Sequence, residues 1–339
     1  MTDINPYLAL TIFLIISFLV GIAFWPRIGL IYRIKKTISH TKRVLMEDAL
    51  KHIYDYEIHQ LSPTLNSIAG NLGISTDKSS KIVENLKKLN LVSLSDRALS
   101  LTEGGREYAL RIIRVHRLWE SYLAEETGVT EIDWHDEAER VEHYLSEEDA
   151  DQLSAKISNP KFDPHGDPIP NSDGNVIQDK SILLNTVENG EIVKIIHIED
   201  EPKSIYTNLL DEGLFPGKEI KIINRSEDQI KIAYDGYEKE LTLLAASKLS
   251  VIIVPREDFK NQKVRTLADL KAGETAEVVN VAPNCRGHQR RRLLDFGIVP
   301  GSKIAIHINS PLNDPKAYVV KDTIVALRKN QANKVIINN

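Results

Sequence analysis

Four side chains in the stretch His135-Asp-Glu-Ala-Glu139-Arg-Val-Glu142-His143-Tyr-Leu145 have the types and spacing for metal chemistry. His135, Glu139, Glu142 and His143 fall at i, i+4, i+7 and i+8, so one amphipathic helix would carry them on a single face. His116 and Glu120 repeat the i, i+4 pairing just upstream. Imidazole and carboxylate donors on a shared stripe suit a mid-series divalent ion such as Fe²⁺ or Mn²⁺. A solvated charged face has the same pattern, and a lone His/Glu pair would be read that way. Two such sets within 28 residues favour the ion.

His and Glu clusters can also hydrolyse, but a hydrolytic site needs an open coordination position and a placed base. The sequence has no Walker loop, no dinucleotide glycine motif after a strand and no nucleophile elbow. We therefore read the chain as binding rather than catalytic. Its single cysteine, Cys285, excludes a disulfide framework and a Cys-rich zinc site. A net charge of −5 is no footprint of a nucleic-acid binder, so any such role must rest on a local patch.

At 339 residues the chain should hold two to four domains. Tyr7 to Trp25 is free of charge and rich in Leu, Ile and Phe. Nineteen residues at about 1.5 Å each would cross most of a ~30 Å hydrocarbon core, with aromatic residues at both interfaces. This predicts a transmembrane anchor over 1–26. A basic juxtamembrane linker over 27–43 follows, with Arg27, Arg33, Lys35, Lys36, Lys42 and Arg43 preceding Glu47. The positive-inside rule then predicts a single-pass protein of the inner membrane with its C-terminal domains in the cytoplasm.

Residues 44–104 read as a winged helix-turn-helix. A helix over Val44–Gln60 comes first, and Ser62-Pro63 opens a second that stops at Gly73. Ser75 caps a third, whose polar face offers Thr76, Lys78, Ser79 and Lys81 against an apolar face of Ile82, Val83, Leu86 and Leu89. A recognition helix needs that division, and we expect Ser75, Thr76, Lys78, Ser79 and Lys81 to meet DNA. Short strands around Ser95-Asp96-Arg97 form the wing. Residues 105–158 carry the candidate metal helices, and 159–185 form a connector dense in Pro, Gly and Asx turns, in which Asp163 and His165 are expected to be solvated. Leu209-Leu-Asp-Glu-Gly-Leu-Phe-Pro-Gly217 then recurs as Leu293-Leu-Asp-Phe-Gly-Ile-Val-Pro-Gly301, an offset of 84. Alternating strands follow each copy, which predicts small β-barrels over 186–255 and 262–338. Arg286, Arg290, Arg291 and Arg292 form a basic cluster in the second, which suits a partner, a phosphate or a solvated face, the last being the reading preferred.

Met46-Glu-Asp48, Leu101-Thr-Glu-Gly-Gly-Arg106, His116-Arg-Leu, His135-Asp-Glu-Ala, Glu142-His143 and Gly166-Asp-Pro-Ile-Pro170 keep one order and spacing across more than 120 residues. In these the chain resembles the diphtheria-toxin-repressor family of metal-dependent transcriptional regulators. Both repeats resemble the SH3-like ferrous-iron-transport A domain, the second through Gly287-His-Gln-Arg-Arg-Arg-Leu-Leu-Asp-Phe-Gly297 and Ile324-Val-Ala-Leu-Arg328. The resemblance implies two metal sites, one on Asp48, Glu139, Glu142 and His143, the other on His116, Glu120 and His135. It also implies acids from the first SH3-like domain at the second site, where Glu199 and Glu201 are the matching residues, and a homodimer reading a palindromic operator. The fold class expected is α+β multidomain: a transmembrane helix, a winged helix-turn-helix, an all-α metal-binding and dimerisation domain, and two SH3-like barrels. The function expected is a membrane-anchored, Fe²⁺- or Mn²⁺-dependent DNA-binding repressor of metal-uptake genes. The alternative is a membrane-bound accessory of a metal transporter that does not bind DNA.

Overall fold

A computed structural model describes residues 10, 13, 30–95, 98–177, 180–255, 259, 264–309 and 314–338. The chain divides into two compact units, Met1–Ile112 and Ile113–Asn339. The architecture is α+β and multidomain, helical first and β-rich after.

In the first unit, helix α1 (Leu30–Ile58) buries Ala49, Leu50 and Ile53. Their spacing makes one apolar stripe. Helices α2 (Leu65–Asn71) and α3 (Thr76–Lys88) close on it through Ile68, Ile82 and Leu86. Each fully buried Leu or Ile contributes on the order of 1.5–3 kcal/mol. Strands β1 (Val92–Ser95) and β2 (Ala98–Leu101) pair antiparallel as a wing. Asp96 and Arg97 lie outside the described residues. The α2 cap is Thr64, in a capping box with Ser67, rather than Ser62. The stretch 30–43, expected as linker, is helical.

The membrane reading is corrected here. Among the described residues no helix is long and apolar enough to cross a membrane. Helix α1 has the length but carries Arg33, Lys35, Lys36, Lys42, Arg43, Glu47, Asp48 and Lys51. The stretch Tyr7–Trp25, from which the anchor was expected, lies outside the described residues apart from Leu10 and Phe13.

Helix α4 (Glu103–Glu126) begins in the first unit and continues into the second. In the second unit its C-terminal part packs Leu123 and Ala124 against Trp134, which opens α5 (Trp134–Val141). Val115 and Leu118 pack against Ala150 of α6 (Glu147–Lys156) and Ile169. Ser146 and Asp149 form the α6 capping box. That cap leaves room for only a turn after α5, so Glu142 and His143 sit just past the helix end rather than inside one long helix.

The first β-rich domain has six antiparallel strands. In chain order they are β3 (Ile182–Leu183), β4 (Ile192–Ile198), β5 (Glu219–Arg225), β6 (Gln229–Tyr234), β7 (Tyr237–Thr242) and β8 (Leu249–Ile253), arranged β3-β8-β4-β5-β6-β7. Helix α7 (Lys203–Asp211) follows β4, and the short α8 (Leu243–Ala246) follows β7. The second domain contains β9 (Thr275–Val281), α9 (Gly287–Asp295), β10 (Lys303–Asn309), β11 (Lys316–Val320), β12 (Thr323–Leu327), α10 (Lys329–Ala332) and β13 (Val335–Ile337), with strands ordered β12-β11-β10-β9-β13. The repeat is structural as well as sequential. Gly217 and Gly301 both have positive φ, and each donates its N–H to the strand before the helix, to Ile195 at 2.7 Å and Val278 at 2.8 Å. Arg291 on α9 bonds Glu126 and the Glu125 carbonyl at the end of α4, so the second domain rests on the helical part.

Candidate metal centre and nucleic-acid interface

Helix α4 presents His116 and Glu120 one turn apart, both buried, with His116 Nε2 3.2 Å from Glu120 Oε1. Helix α5 brings His135 to the same carboxylate, Nδ1 to Oε1 3.6 Å, and the two imidazoles meet edge-on at 4.9 Å between centroids. The three residues offer ligand atoms within 4.8 Å of one another. His116 also reaches Glu142, Nδ1 to Oε2 2.5 Å. Glu142 in turn lies 3.4 Å from His143 Nε2. One histidine thus joins the two expected ligand sets. Glu139 is largely exposed, 3.5 Å from His135 Nε2. Asp48, half-buried on α1, belongs to the first unit.

Two further side chains complete the centre, and the sequence reading missed both. His165 was expected in solvent but is 4% exposed, and Asp200 was passed over for its neighbours. Glu120, His165 and Asp200 form a second group with ligand atoms within 4.8 Å. His165 Nε2 lies 3.7 Å from Glu120 Oε1 and 3.9 Å from Asp200 Oδ2, too far for a hydrogen bond. This buried nitrogen has no hydrogen-bond partner among the described residues. A buried polar atom without a partner costs about 1–3 kcal/mol unless something else satisfies it. A cation ligated by His165, Glu120 and Asp200 would do so, and the all-imidazole-and-carboxylate donor set fits Mn²⁺ or Fe²⁺. Cys285 is buried in the second β-rich core, outside this set.

The connector places His165. Asp163 Oδ1 accepts the backbone N–H groups of His165, Gly166 and Asp167, each at 2.9 Å, curling the strap tightly. Arg117 on α4 holds it from one side, through the Pro168 carbonyl at 2.7 Å and Asp167 at 3.2 Å. Strand β4 holds it from the other, through Ile198 N–H to the His165 carbonyl at 2.9 Å and His197 to Asp167 at 3.2 Å. Gly166 makes this approach possible. Its φ is +100°, and a Cβ there would stand 1.8 Å from the Ile196 carbonyl oxygen.

Among the acids after β4, Asp200 makes the close contact, 2.9 Å from His135 Nδ1, whereas Glu201 is 4.0 Å from Nε2. Glu199 has no ion pair to these ligands among the described residues; burial raises its pKa. The electrostatics are those of a site rich in carboxylate. Burial disfavours a charged His135, but Asp200, Glu120 and Glu139 outweigh it and push its pKa up to about 12. Burial likewise opposes ionisation of Glu120, and His116 reverses this, holding the carboxyl well below its usual range.

In the first unit, Ser75 caps α3 by accepting the Lys78 N–H at 3.3 Å. Lys78 and Lys81 are exposed. Thr76, also exposed, donates to Asn66 on α2 at 3.1 Å, which fixes one helix of the pair against the other. Ser79 does not share that face. It is fully buried and donates to the Leu65 carbonyl at 3.0 Å, so it locks α3 to α2 and is unavailable to a DNA groove.

Residues 102–171 match the family described as iron dependent repressor, metal binding and dimerisation domain. The FeoA domain matches over 182–253 and again over 265–339. The diphtheria toxin repressor of Corynebacterium diphtheriae is 31% identical over 206 residues, 57% of this chain and 89% of its own length. The iron-dependent repressor IdeR of Mycobacterium leprae is 29% identical over 203 residues, 56% of this chain and 88% of its own. Among solved structures, a manganese-dependent transcriptional repressor in complex with manganese is similar at 29% identity and a TM-score of 0.57, covering 61% of this chain and 99% of that one. The single-pass inner-membrane protein expected from the sequence is thus corrected from two sides, by relatives that are repressors and by the absence of a spanning helix among the described residues.

Proposed function

The chain belongs to the diphtheria-toxin-repressor family, and from that premise we propose a homodimeric, metal-dependent repressor of metal-uptake genes that reads a palindromic DNA operator when loaded with Fe²⁺ or Mn²⁺. It is a regulator and not an enzyme. The observation that carries the metal reading is the convergence of His116, Glu120, His135, His165 and Asp200, with the partnerless Nε2 of His165 among them.

These five residues would hold one ion. Asp48, Glu139, Glu142 and His143 would hold the other, an assignment that rests on the resemblance. A bound divalent ion supplies the positive charge that lets several carboxylates share a buried space. The chain's own residues do the rest. His116 has Glu120 at Nε2 and Glu142 at Nδ1, so with Nε2 turned to the ion its Nδ1–H would still hold Glu142 and link the two ligand sets. Asp48 stands on α1, the helix that also builds the winged-helix core, so its use as a ligand couples the DNA-binding unit to the metal residues. Ligand binding then favours the conformer that fits two half-sites, a shift of population. Ser75, Thr76, Lys78 and Lys81 at the start of α3 supply the DNA-facing groups.

The test is metal-dependent, sequence-specific retention of DNA by the purified chain. Retention should appear with Mn²⁺ or Fe²⁺ and vanish on chelation. Glu142→Ala with His143→Ala should abolish tight binding of one ion and reduce DNA affinity. Calorimetry that finds metal affinity unchanged in this double variant refutes the assignment.

A further inference from the structure

Tyr206 stands on α7, in the first FeoA-type domain, and its hydroxyl meets two groups of the helical part. It donates to Glu131 Oε1 at 3.1 Å, and the same oxygen lies 3.0 Å from His165 Nδ1. A hydroxyl has one proton to give, and a carboxylate can only accept. That proton goes to Glu131, which leaves the hydroxyl oxygen as an acceptor. Nδ1 of His165 must then be the donor to the hydroxyl oxygen. A neutral imidazole with its proton on Nδ1 carries its lone pair on Nε2. That lone pair faces Glu120 and Asp200. The ring is also held flat-to-edge, 5.3 Å from the Tyr206 ring and 6.0 Å from Trp134.

We propose that Tyr206 and Glu131 are positioning residues for His165, fixing its ring tautomer and orientation so that Nε2 is presented as a ligand to a divalent cation. The inference rests on the metal reading above. It has a physical alternative to beat. Without the Tyr206 hydroxyl, the carboxylates of Glu120 and Asp200 at the far edge of the ring are what remain to direct its proton among the described residues. They would draw the proton onto Nε2 and turn the ligand atom into a donor. The first FeoA-type domain would thus supply the centre with one ligand, Asp200, and with the group that orients another.

The experiment uses the full chain labelled with ¹³C and ¹⁵N in its histidine rings. The His165 signals are assigned by their loss in His165→Gln. In ion-free wild-type protein the ring shifts should report the Nδ1–H tautomer. In Tyr206→Phe they should report Nε2–H. Mn²⁺ affinity at this centre, read from the free-ion electron paramagnetic resonance signal, should fall about 10–100-fold, the usual effect of removing an outer-shell partner. Affinity at the other centre, joined to this one through His116, should fall by less. Glu131→Gln keeps a carbonyl acceptor for the hydroxyl and should retain the wild-type tautomer and affinity. A purely structural role for Tyr206 would lower stability without moving the tautomer. A Tyr206→Phe chain that keeps its proton on Nδ1 and binds Mn²⁺ as the wild type does overturns the proposal. A wild-type chain that takes up only one ion defeats the reading of this centre instead, and the ion-free tautomer still decides the relay.

Discussion

Replacing Gly166 with alanine perturbs the strap and the metal centre through one methyl group. The added Cβ would lie 1.8 Å from the Ile196 carbonyl oxygen, 2.8 Å from its carbon and 2.9 Å from the His197 Cα. All three atoms are backbone of β4, which five other strands and the domain core hold in place. The strap must therefore move away, by more than an ångström, before the methyl reaches ordinary contact. That displacement breaks the Ile198 N–H bond to the His165 carbonyl, at about 1 kcal/mol. A non-glycine residue at φ +100° adds about 1–3 kcal/mol of backbone strain. Together with the loosened Asp163 turn, the loss is roughly 3–5 kcal/mol, or a fall of about 10 °C in the melting temperature of the second unit. His165 rides on the moved strap, so Mn²⁺ affinity at its centre should fall at least about tenfold. Gly213→Ala is the control, because its φ is +75° with no atom within 4 Å of the added Cβ. It should cost only the strain, about 1–2 kcal/mol, and leave metal binding alone. The measurements are thermal unfolding and Mn²⁺ titration of both variants. If Gly166→Ala matches Gly213→Ala in both, contact of the strap with β4 does not place His165.

Lys78→Ala with Lys81→Ala should weaken DNA binding across all sequences and make the log–log salt slope shallower by roughly one to two units per half-site, because each lost phosphate contact releases about one counterion fewer. Unchanged affinity and slope would remove α3 from the interface. His197 makes a prediction in pH. Burial pulls its pKa down, but Asp167 at 3.2 Å outweighs burial and pushes it up to about 9. A raised folded pKa gives stability that is fully present below the ordinary value of about 6.5 and is lost as pH rises through about 9, at most about 3 kcal/mol. Denaturant unfolding between those limits should show the decline in the wild type and a flatter profile in His197→Gln. Parallel profiles would mean that the His197–Asp167 pair contributes nothing to that dependence.

The winged-helix elements were legible because their signals are local. A capping serine at Ser75, a left-handed glycine at Gly73 and the apolar spacing of Ile82 and Leu86 act within a few residues of themselves. The β repeat was legible for the same reason, since Pro-Gly turns recur at a fixed offset. Ser79 was misread because helical periodicity alone does not say which small polar residue a neighbouring helix will cover. Here α2 covers it, through the Leu65 carbonyl. The continuous metal helix was misread because a face drawn on a helical wheel runs on unless something stops it. What stops it is the capping demand of the next helix at Ser146.

The metal residues divide along the same line. His116, Glu120 and His135 lie on helices, where spacing reveals a shared face, and they do converge. His165 lies in a strap whose course depends on Arg117, 48 residues upstream, and on β4, some 30 residues downstream. Dense Pro and Gly turns suggested exposure, but the same tight turns let a strap lie flush against a strand, and Gly166 is the position where that contact closes. Asp200 left no such local signal. Side chains alternate between faces only along a strand, and β4 ends at Ile198, so that rule stops short of residues 199–201. Ile198 is the last residue of the strand and fully buried in the domain core, while Glu199 and Asp200 just past it are both partly buried, so neither burial nor strand spacing tells the two acids apart. What singles out Asp200 is tertiary: its carboxylate stands 2.9 Å from His135 Nδ1, on a helix 65 residues upstream, and no count along the chain from β4 carries that contact.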